Sequence, residues 1–126
     1  MGNVTTSLRI SSADVLSTSV DINVLTNLNA DSATLSKAKV VKTAVDANAL
    51  EVYTVNDKSE SAYLYLRNLE TEKESYVYIY NDTDSDGLVA KVGGGEFCFI
   101  PVAVDKGYRV YGTRVDSMVE FAVFGG

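Results

Sequence analysis

The sequence has no histidine and no tryptophan, and it has one cysteine and one proline among 126 residues. Without histidine, histidine-assisted nucleophilic triads and His/Cys zinc sites are excluded. A single cysteine, Cys98, excludes an intrachain disulfide and favours folding in a reducing cytoplasm. Because these absences remove much of common enzymology, we expect neither an enzyme nor a cofactor.

The charge balance is acidic, with 11 basic and 17 acidic residues and a net charge of −6. A negative field repels phosphate, so we do not expect nucleic-acid binding. Lys37 and Lys39 would share one strand face and Lys42 the other, which is typical of a solvated strand. No apolar run approaches the about 20 residues of a membrane span, and the N-terminus lacks the charged and apolar regions of a secretory signal.

Apolar and polar residues alternate with a period of two along most of the chain. The apolar positions are Leu8 and Ile10; Val20, Ile22 and Val24; Leu50 and Val52; Ala62, Leu64 and Leu66; Val77 and Ile79; Phe97 and Phe99; Val110; Val119, Phe121 and Val123. This period is typical of strands with one face on a core. We predict a single all-β domain over residues 1–126, an antiparallel β-sandwich or jelly-roll-like barrel of about eight to ten short strands.

Turn-forming stretches separate these runs, at residues 56–59, 81–87, 93–95 and 105–107. We predict a hairpin turn at 93–95, and we expect Pro101 to end a strand or mark a sheet edge. Residues 27–42 are less regular, and a loop followed by a strand at 39–43 is favoured there. A short helix over 34–41, capped by residues 31–33, is the alternative.

Residues 82–87 read Asp-Thr-Asp-Ser-Asp-Gly and match the opening half of a calcium loop. Asp82, Asp84 and Asp86 are the candidate ligands. The pattern also requires a glutamate at the twelfth position, where this chain has Gly93. A polar hairpin turn between residues 76–80 and 88–92 is therefore the favoured interpretation, and adventitious calcium is the alternative.

Eight tyrosines are many for this length. Tyr76, Tyr78 and Tyr80 would lie on one strand face, with Tyr63 and Tyr65 beside them if their strands pair. An exposed tyrosine row suits a subunit interface or stacking on sugars, because tyrosine combines apolar area with a hydrogen bond. The alternative is a sheet face covered by loops or by the partner sheet. Cys98 lies in an apolar run, which favours a buried, inert thiol.

Four segments together resemble a known class of protein. They read Ser-Ala-Tyr-Leu-Tyr-Leu-Arg-Asn-Leu at 61–69, Tyr-Val-Tyr-Ile at 76–79, Gly-Glu-Phe-Cys-Phe-Ile-Pro at 95–101 and Val-Glu-Phe-Ala-Val-Phe at 119–124. In these strands, and in its Ser/Thr-rich start, the chain resembles small virion structural proteins of marine tailed phages such as cyanophages.

The resemblance implies a virion protein made in the host cytoplasm, in the form of a capsid decoration or cement protein. Its partners would be further copies of itself, by default in trimers, and the major capsid protein or other virion proteins. A tail or head–tail attachment component is the second interpretation, and a carbohydrate- or receptor-binding module is the runner-up from another class. Beside the tyrosines, we expect contacts from residues 4–10 and 121–124.

Overall fold

The computed structural model describes residues 2–13, 20–30, 32–54, 62–81, 87–103 and 106–125. Within those residues the regular elements are all strands, which confirms the all-β prediction. No helix that could cross a membrane occurs among them. The strands are β1 (Gly2–Ser12), β2 (Val20–Ala30), β3 (Ser32–Lys39), β4 (Leu50–Tyr53), β5 (Ala62–Asn68), β6 (Val77–Asn81), β7 (Leu88–Val92), β8 (Phe97–Val102), β9 (Tyr108–Gly112) and β10 (Met118–Gly125).

The strands form a hairpin and two four-stranded sheets, all with antiparallel pairing. We call the β1–β2 hairpin the arm, the sheet with order β3-β10-β5-β8 the front sheet, and the sheet with order β4-β9-β6-β7 the back sheet. The core contains side chains from both sheets, so the two sheets form a sandwich. The predicted sandwich is confirmed, whereas the alternative of a jelly-roll-like barrel is not, because both sheets keep open edges in the described residues.

In most strands of the two sheets the alternation indicates which side chains enter the core. In β8 this prediction is wrong, since Phe97 and Phe99 lie on the outer side and Cys98 faces the core. In β5, Leu64 and Leu66 are fully buried, while Tyr63, Tyr65 and Arg67 point away from the core. Val77 and Ile79 of β6 and Val110 of β9 are also fully buried and belong to the same cluster. Burying one such aliphatic side chain stabilises the fold by about 1.5–3 kcal/mol, so this two-faced pattern supplies the main driving force for the sandwich.

Residues 27–42 are mostly strand. β2 continues to Ala30, β3 begins at Ser32, and only Asp31 lies between them. The strand expected at 39–43 lies earlier instead, at Ser32–Lys39, and both the loop expected before it and the alternative helix over 34–41 are wrong. The physical reason is pairing with distant segments: Thr5 lies opposite Asn27 and donates a hydrogen bond of 3.1 Å to it, and β3 is paired with β10 along its length.

One end of the sandwich is tied by a buried amide. Asn68 is fully buried, and its side-chain nitrogen donates to the carbonyl oxygens of Ser75 at 2.6 Å and Val92 at 3.0 Å. Its side-chain oxygen accepts from the amide of Glu70 at 3.0 Å. Ser75 and Ser117 are buried nearby, with their hydroxyl oxygens 3.5 Å apart. We call Asn68, Ser75 and Ser117 the Asn68 cluster, and its hydrogen bonds join β5 of the front sheet to the β5–β6 connection and to the end of β7 in the back sheet.

Residues 93–95 form the turn that leads from β7 to β8. The predicted turn is confirmed, but it is not a hairpin turn, because β7 belongs to the back sheet and β8 to the front sheet. A Cβ atom on Gly94 would collide with the carbonyl oxygen of Glu72, and Gly95 has a φ of 80°, which favours glycine. Pro101 lies in β8, an edge strand of the front sheet, as expected.

Candidate functional site

The five tyrosines of the predicted interface lie on two opposite surfaces. Tyr63 and Tyr65 belong to β5 in the front sheet, whereas Tyr78 and Tyr80 belong to β6 in the back sheet and Tyr76 immediately precedes β6. The expectation that the two rows lie side by side is therefore wrong. The physical reason is that β5 and β6 face each other across the core through their aliphatic side chains, so their tyrosines point away from each other.

The back sheet carries a ladder of tyrosine rings. Tyr111 of β9 lies directly opposite Tyr78, and their ring centroids are 4.8 Å apart with nearly parallel planes. Tyr80 lies 5.6 Å from Tyr111 on one side, and Tyr76 lies 6.4 Å from Tyr78 on the other. We call these residues the tyrosine ladder. Sequence reasoning missed Tyr111, although its alternation with Val110 marks it as outward-facing.

Tyr80 is withdrawn from the surface and is only 2% exposed. Its hydroxyl donates to the carbonyl oxygen of Asp46 at 2.9 Å and accepts from the Asp46 amide at 3.2 Å. These bonds fasten the segment between β3 and β4 over the back sheet, so Tyr80 has a structural role.

The faces of the remaining rings of the ladder are largely covered by neighbouring side chains. Tyr111 lies between Tyr78 and Tyr80, and the ammonium group of Lys91 lies 4.0 Å from the centroid of the Tyr76 ring. Recognition of a cation or a sugar by an aromatic residue uses the ring face. Because the rings of the ladder contact one another, and Tyr78 and Tyr111 stack face to face, the ladder favours a rigid sheet surface over a platform for sugars.

The front sheet carries a second aromatic surface on its outer side. Tyr63 and Phe99 stack at 5.9 Å, and Phe99 lies 6.4 Å from Phe124. Phe97 is 59% exposed at the outer edge, and Tyr65 completes the set. We call Tyr63, Tyr65, Phe97, Phe99 and Phe124 the aromatic face. It includes two of the predicted tyrosines and one residue of the predicted C-terminal contact, 121–124.

Tyr65 is tied to its neighbour on β10. Its hydroxyl donates a hydrogen bond of 3.0 Å to the carboxylate of Glu120. Burial raises the pKa of Tyr65 above its ordinary value, and the hydrogen bond to Glu120 raises it further. The phenol therefore stays neutral at physiological pH, which keeps the aromatic face free of a new negative charge.

The arm has one aliphatic face and one mainly polar face, on which Leu25 is exposed. Directly opposed residues of an antiparallel pair share a face, and the register places Leu8 opposite Val24 and Ile10 opposite Ile22. These side chains are 42%, 46%, 47% and 44% exposed, respectively. The polar face includes Arg9 and Asp21, whose charged atoms are 3.7 Å apart. The predicted contact segment 4–10 thus lies in β1 of the arm.

An open cleft of about 630 Å³ separates the arm from the edge of the front sheet. Thr6, Leu8 and Val24 line it on the arm side, and Phe97 and Phe99 line it on the sheet side. The lining is mainly apolar, and its two walls come from distant parts of the chain. This cleft therefore brings together two exposed apolar surfaces in the described part of the protein.

The candidate calcium ligands Asp82, Asp84 and Asp86 lie outside the described residues. On either side of them, β6 pairs with β7, and the amide of Asn81 donates to the carbonyl oxygen of Gly87 at 2.9 Å. The predicted hairpin between these two strands is therefore confirmed. Among the residues that the structure describes, no cluster of acidic or cysteine side chains could hold a metal ion.

Cys98 lies on the core side of β8, opposite Leu66. Burial raises the pKa of its thiol above the ordinary value. Since the thiolate is the reactive form, a raised pKa makes this cysteine a poor nucleophile at neutral pH.

Comparison of the chain with protein-family models, with curated proteins and with solved structures gave no match.

Proposed function

We propose that this protein is a structural component of a phage virion, and that it decorates or cements the capsid through protein–protein contacts. The observation that carries the proposal is the half-exposed aliphatic face of the arm. The resemblance of strands 61–69, 76–79, 95–101 and 119–124 to small phage virion proteins supplies the biological setting.

The physical argument begins with the stability of the arm. A two-stranded hairpin is marginally stable in water, and it needs further strands or a packed surface to persist. In the arm, Leu8, Ile10 and Val24 keep more than two-fifths of their surface in water. A contiguous exposed apolar strip of this kind marks an interaction site. The arm is thus suited to bind another protein and to be stabilised by that contact.

Charge supports the same role. The chain carries a net charge of −6, whereas the charged side chains in the described part of the arm are Arg9 and Asp21, which form a pair. A neutral arm can approach an acidic neighbour without like-charge repulsion, while the acidic body discourages non-specific association. Decoration of a repetitive surface requires this combination of solubility and local adhesion.

The test is a quantitative proteomic measurement on purified particles of the virus that encodes the chain. We expect the protein in the particles at a copy number proportional to that of the major capsid protein. Empty heads without tails separate the two virion placements, since a capsid decoration protein stays with the heads. Detection of the protein only in free form in the infected-cell lysate, never in purified particles, would overturn the proposal.

A further inference from the structure

The arm and the front sheet present two complementary apolar surfaces. The arm offers aliphatic side chains, including Leu8, Ile10 and Val24, and the front sheet offers the aromatic face with Phe97 at its edge. Within one chain the open cleft keeps these surfaces apart near Leu8 and Phe97. Each surface therefore has the shape and chemistry to pack against the other, but the chain does not close the contact itself.

We propose that the arm of one copy packs its aliphatic face on the aromatic face of a second copy, so that copies are joined by exchanged arms. This inference rests on the proposed function and deepens it, because it names the arm's partner as another copy of the same chain. Aromatic and aliphatic side chains pack well across sheet faces.

The buried area favours exchange over a simpler contact between two arms. Each arm strand has 11 residues, and at a rise of about 3.3 Å and a width of about 10 Å for two strands the aliphatic strip covers roughly 350 Å². Two arms packed face to face would bury about 700 Å² in total, below the roughly 1,000 Å² that a biological interface needs. Reciprocal exchange buries two arms and two receiving faces, about 1,400 Å², which is a standard interface.

The charges around the receiving face permit this approach. Lys37, Lys39 and Arg67 lie on exposed positions of the outer side of the front sheet, and Glu120 is engaged by Tyr65. This side is therefore less acidic than the chain as a whole. Because the arm itself is neutral, its docking there meets no net repulsion.

The first experiment measures molar mass by light scattering of purified protein between about 10 μM and 1 mM. We expect the wild-type chain to self-associate and Val24→Asp to weaken association at least about tenfold, because it buries a charge in the contact. Asn23→Asp is the matched control, since it adds the same charge to the neighbouring residue on the polar face of β2. A monomeric wild-type chain at the highest concentration, or unchanged association of Val24→Asp, would overturn the proposal.

A second pair of variants tests the receiving surface. Phe97→Asp should weaken association by a similar factor, whereas Val89→Asp, at an exposed apolar position of β7, should change it less than about twofold. All four positions are exposed, so a urea unfolding midpoint close to that of the wild type verifies the fold of each variant. If Val24→Asp dissociates the copies and Phe97→Asp does not, the arms contact each other instead, and the exchange model is wrong.

A measurement on the unmodified chain removes any dependence on variants. Copies with labelled methyl groups are mixed with copies that have labelled aromatic rings, and intermolecular nuclear Overhauser effects are recorded. We expect contacts from the methyl groups of Leu8 and Val24 to the rings of Phe97 and Phe99 of another copy. Their absence in an associated sample would overturn the exchange. The proposed function fails separately, by absence of the protein from particles.

Discussion

The Asn68 cluster and the arm differ in how far the chain itself covers and pairs their side chains. In the Asn68 cluster, a fully buried side chain uses both its nitrogen and its oxygen in hydrogen bonds with the backbone of three other residues. In the arm, aliphatic side chains such as Val24 keep nearly half of their surface in water. One region is complete within the chain, whereas the other leaves apolar surface that a partner would cover under the proposed function. Function is therefore expected at the arm and structural integrity at the Asn68 cluster.

The largest loss of stability should follow from Asn68→Ala, which breaks the Asn68 cluster. The substitution leaves the carbonyl oxygens of Ser75 and Val92 and the amide of Glu70 without their partner. Because each buried unsatisfied group costs about 1–3 kcal/mol, we expect the free energy of unfolding to fall by about 4 kcal/mol in urea titrations. Asn23→Ala, on the exposed face of the arm, should change it by less than about 0.5 kcal/mol. A loss below about 1 kcal/mol for Asn68→Ala would contradict the assigned role.

A leucine in the core and a leucine in the arm sharpen the contrast. Leu64→Ala removes a fully buried side chain and should lower the free energy of unfolding by about 3 kcal/mol at any protein concentration. Leu8→Ala should cost less than about 1 kcal/mol in dilute solution, because the side chain is already 42% exposed. The cost of Leu8→Ala should then grow with protein concentration as the arms find partners. Equal costs for Leu8→Ala at low and high concentration would show that the arm has no partner copy.

The smallest effect concerns a defect inside the sandwich. Tyr53 is buried, and its hydroxyl has no hydrogen-bond partner among the described residues. We expect Tyr53→Phe to raise the free energy of unfolding by about 1 kcal/mol, because the unsatisfied hydroxyl is removed. Tyr108→Phe, in the ring packed edge-on against Tyr53, should lower it, since the Tyr108 hydroxyl accepts from the amide of Ala103 at 3.1 Å. Destabilisation of both variants to the same extent would mean that the Tyr53 hydroxyl is satisfied.

The same tyrosine predicts an alkaline dependence of stability. Burial raises the pKa of Tyr53, and the charge of Tyr108 raises it further. The folded state therefore holds the phenolic proton more tightly than the unfolded state does. The stabilisation from this group is fully present below about pH 10 and is lost as the pH rises towards the folded-state pKa. Unfolding curves of Tyr53→Phe should lose less stability above pH 10 than those of the wild type.

Much of the fold could be predicted from local alternation. The strands containing Leu64, Val77, Val110 and Val119 were predicted with the correct inward residues, because one buried face imposes a period of two on each strand. The assignment of strands to sheets could not be predicted this way. β5 and β6 have the same local pattern whether they pair side by side or pack across a core, and only the long-range pairing of β5 with β8 and β10 decides between the two.

The candidate site was predicted in part. The contact segments 4–10 and 121–124 contribute Leu8 to the arm and Phe124 to the aromatic face, and Tyr63 and Tyr65 belong to that face. Tyr80 was misjudged because its cover comes from Asp46, which is distant in sequence. Asn68 was overlooked as a structural residue, since asparagine is mostly exposed and nothing local marks it as buried.

The junction between the arm and the front sheet has a consequence for symmetry. Only Asp31 separates Ala30 at the end of β2 from Ser32, which is already paired with Gly125 of β10. The direction in which the arm leaves the sandwich is therefore tied to the front sheet. Under arm exchange, this direction sets the rotation from one copy to the next, and a rotation that closes gives a ring whereas one that does not gives a filament. Under arm exchange, the copy number of the assembly would then depend on the direction of the arm, separately from the apolar surfaces that supply its affinity.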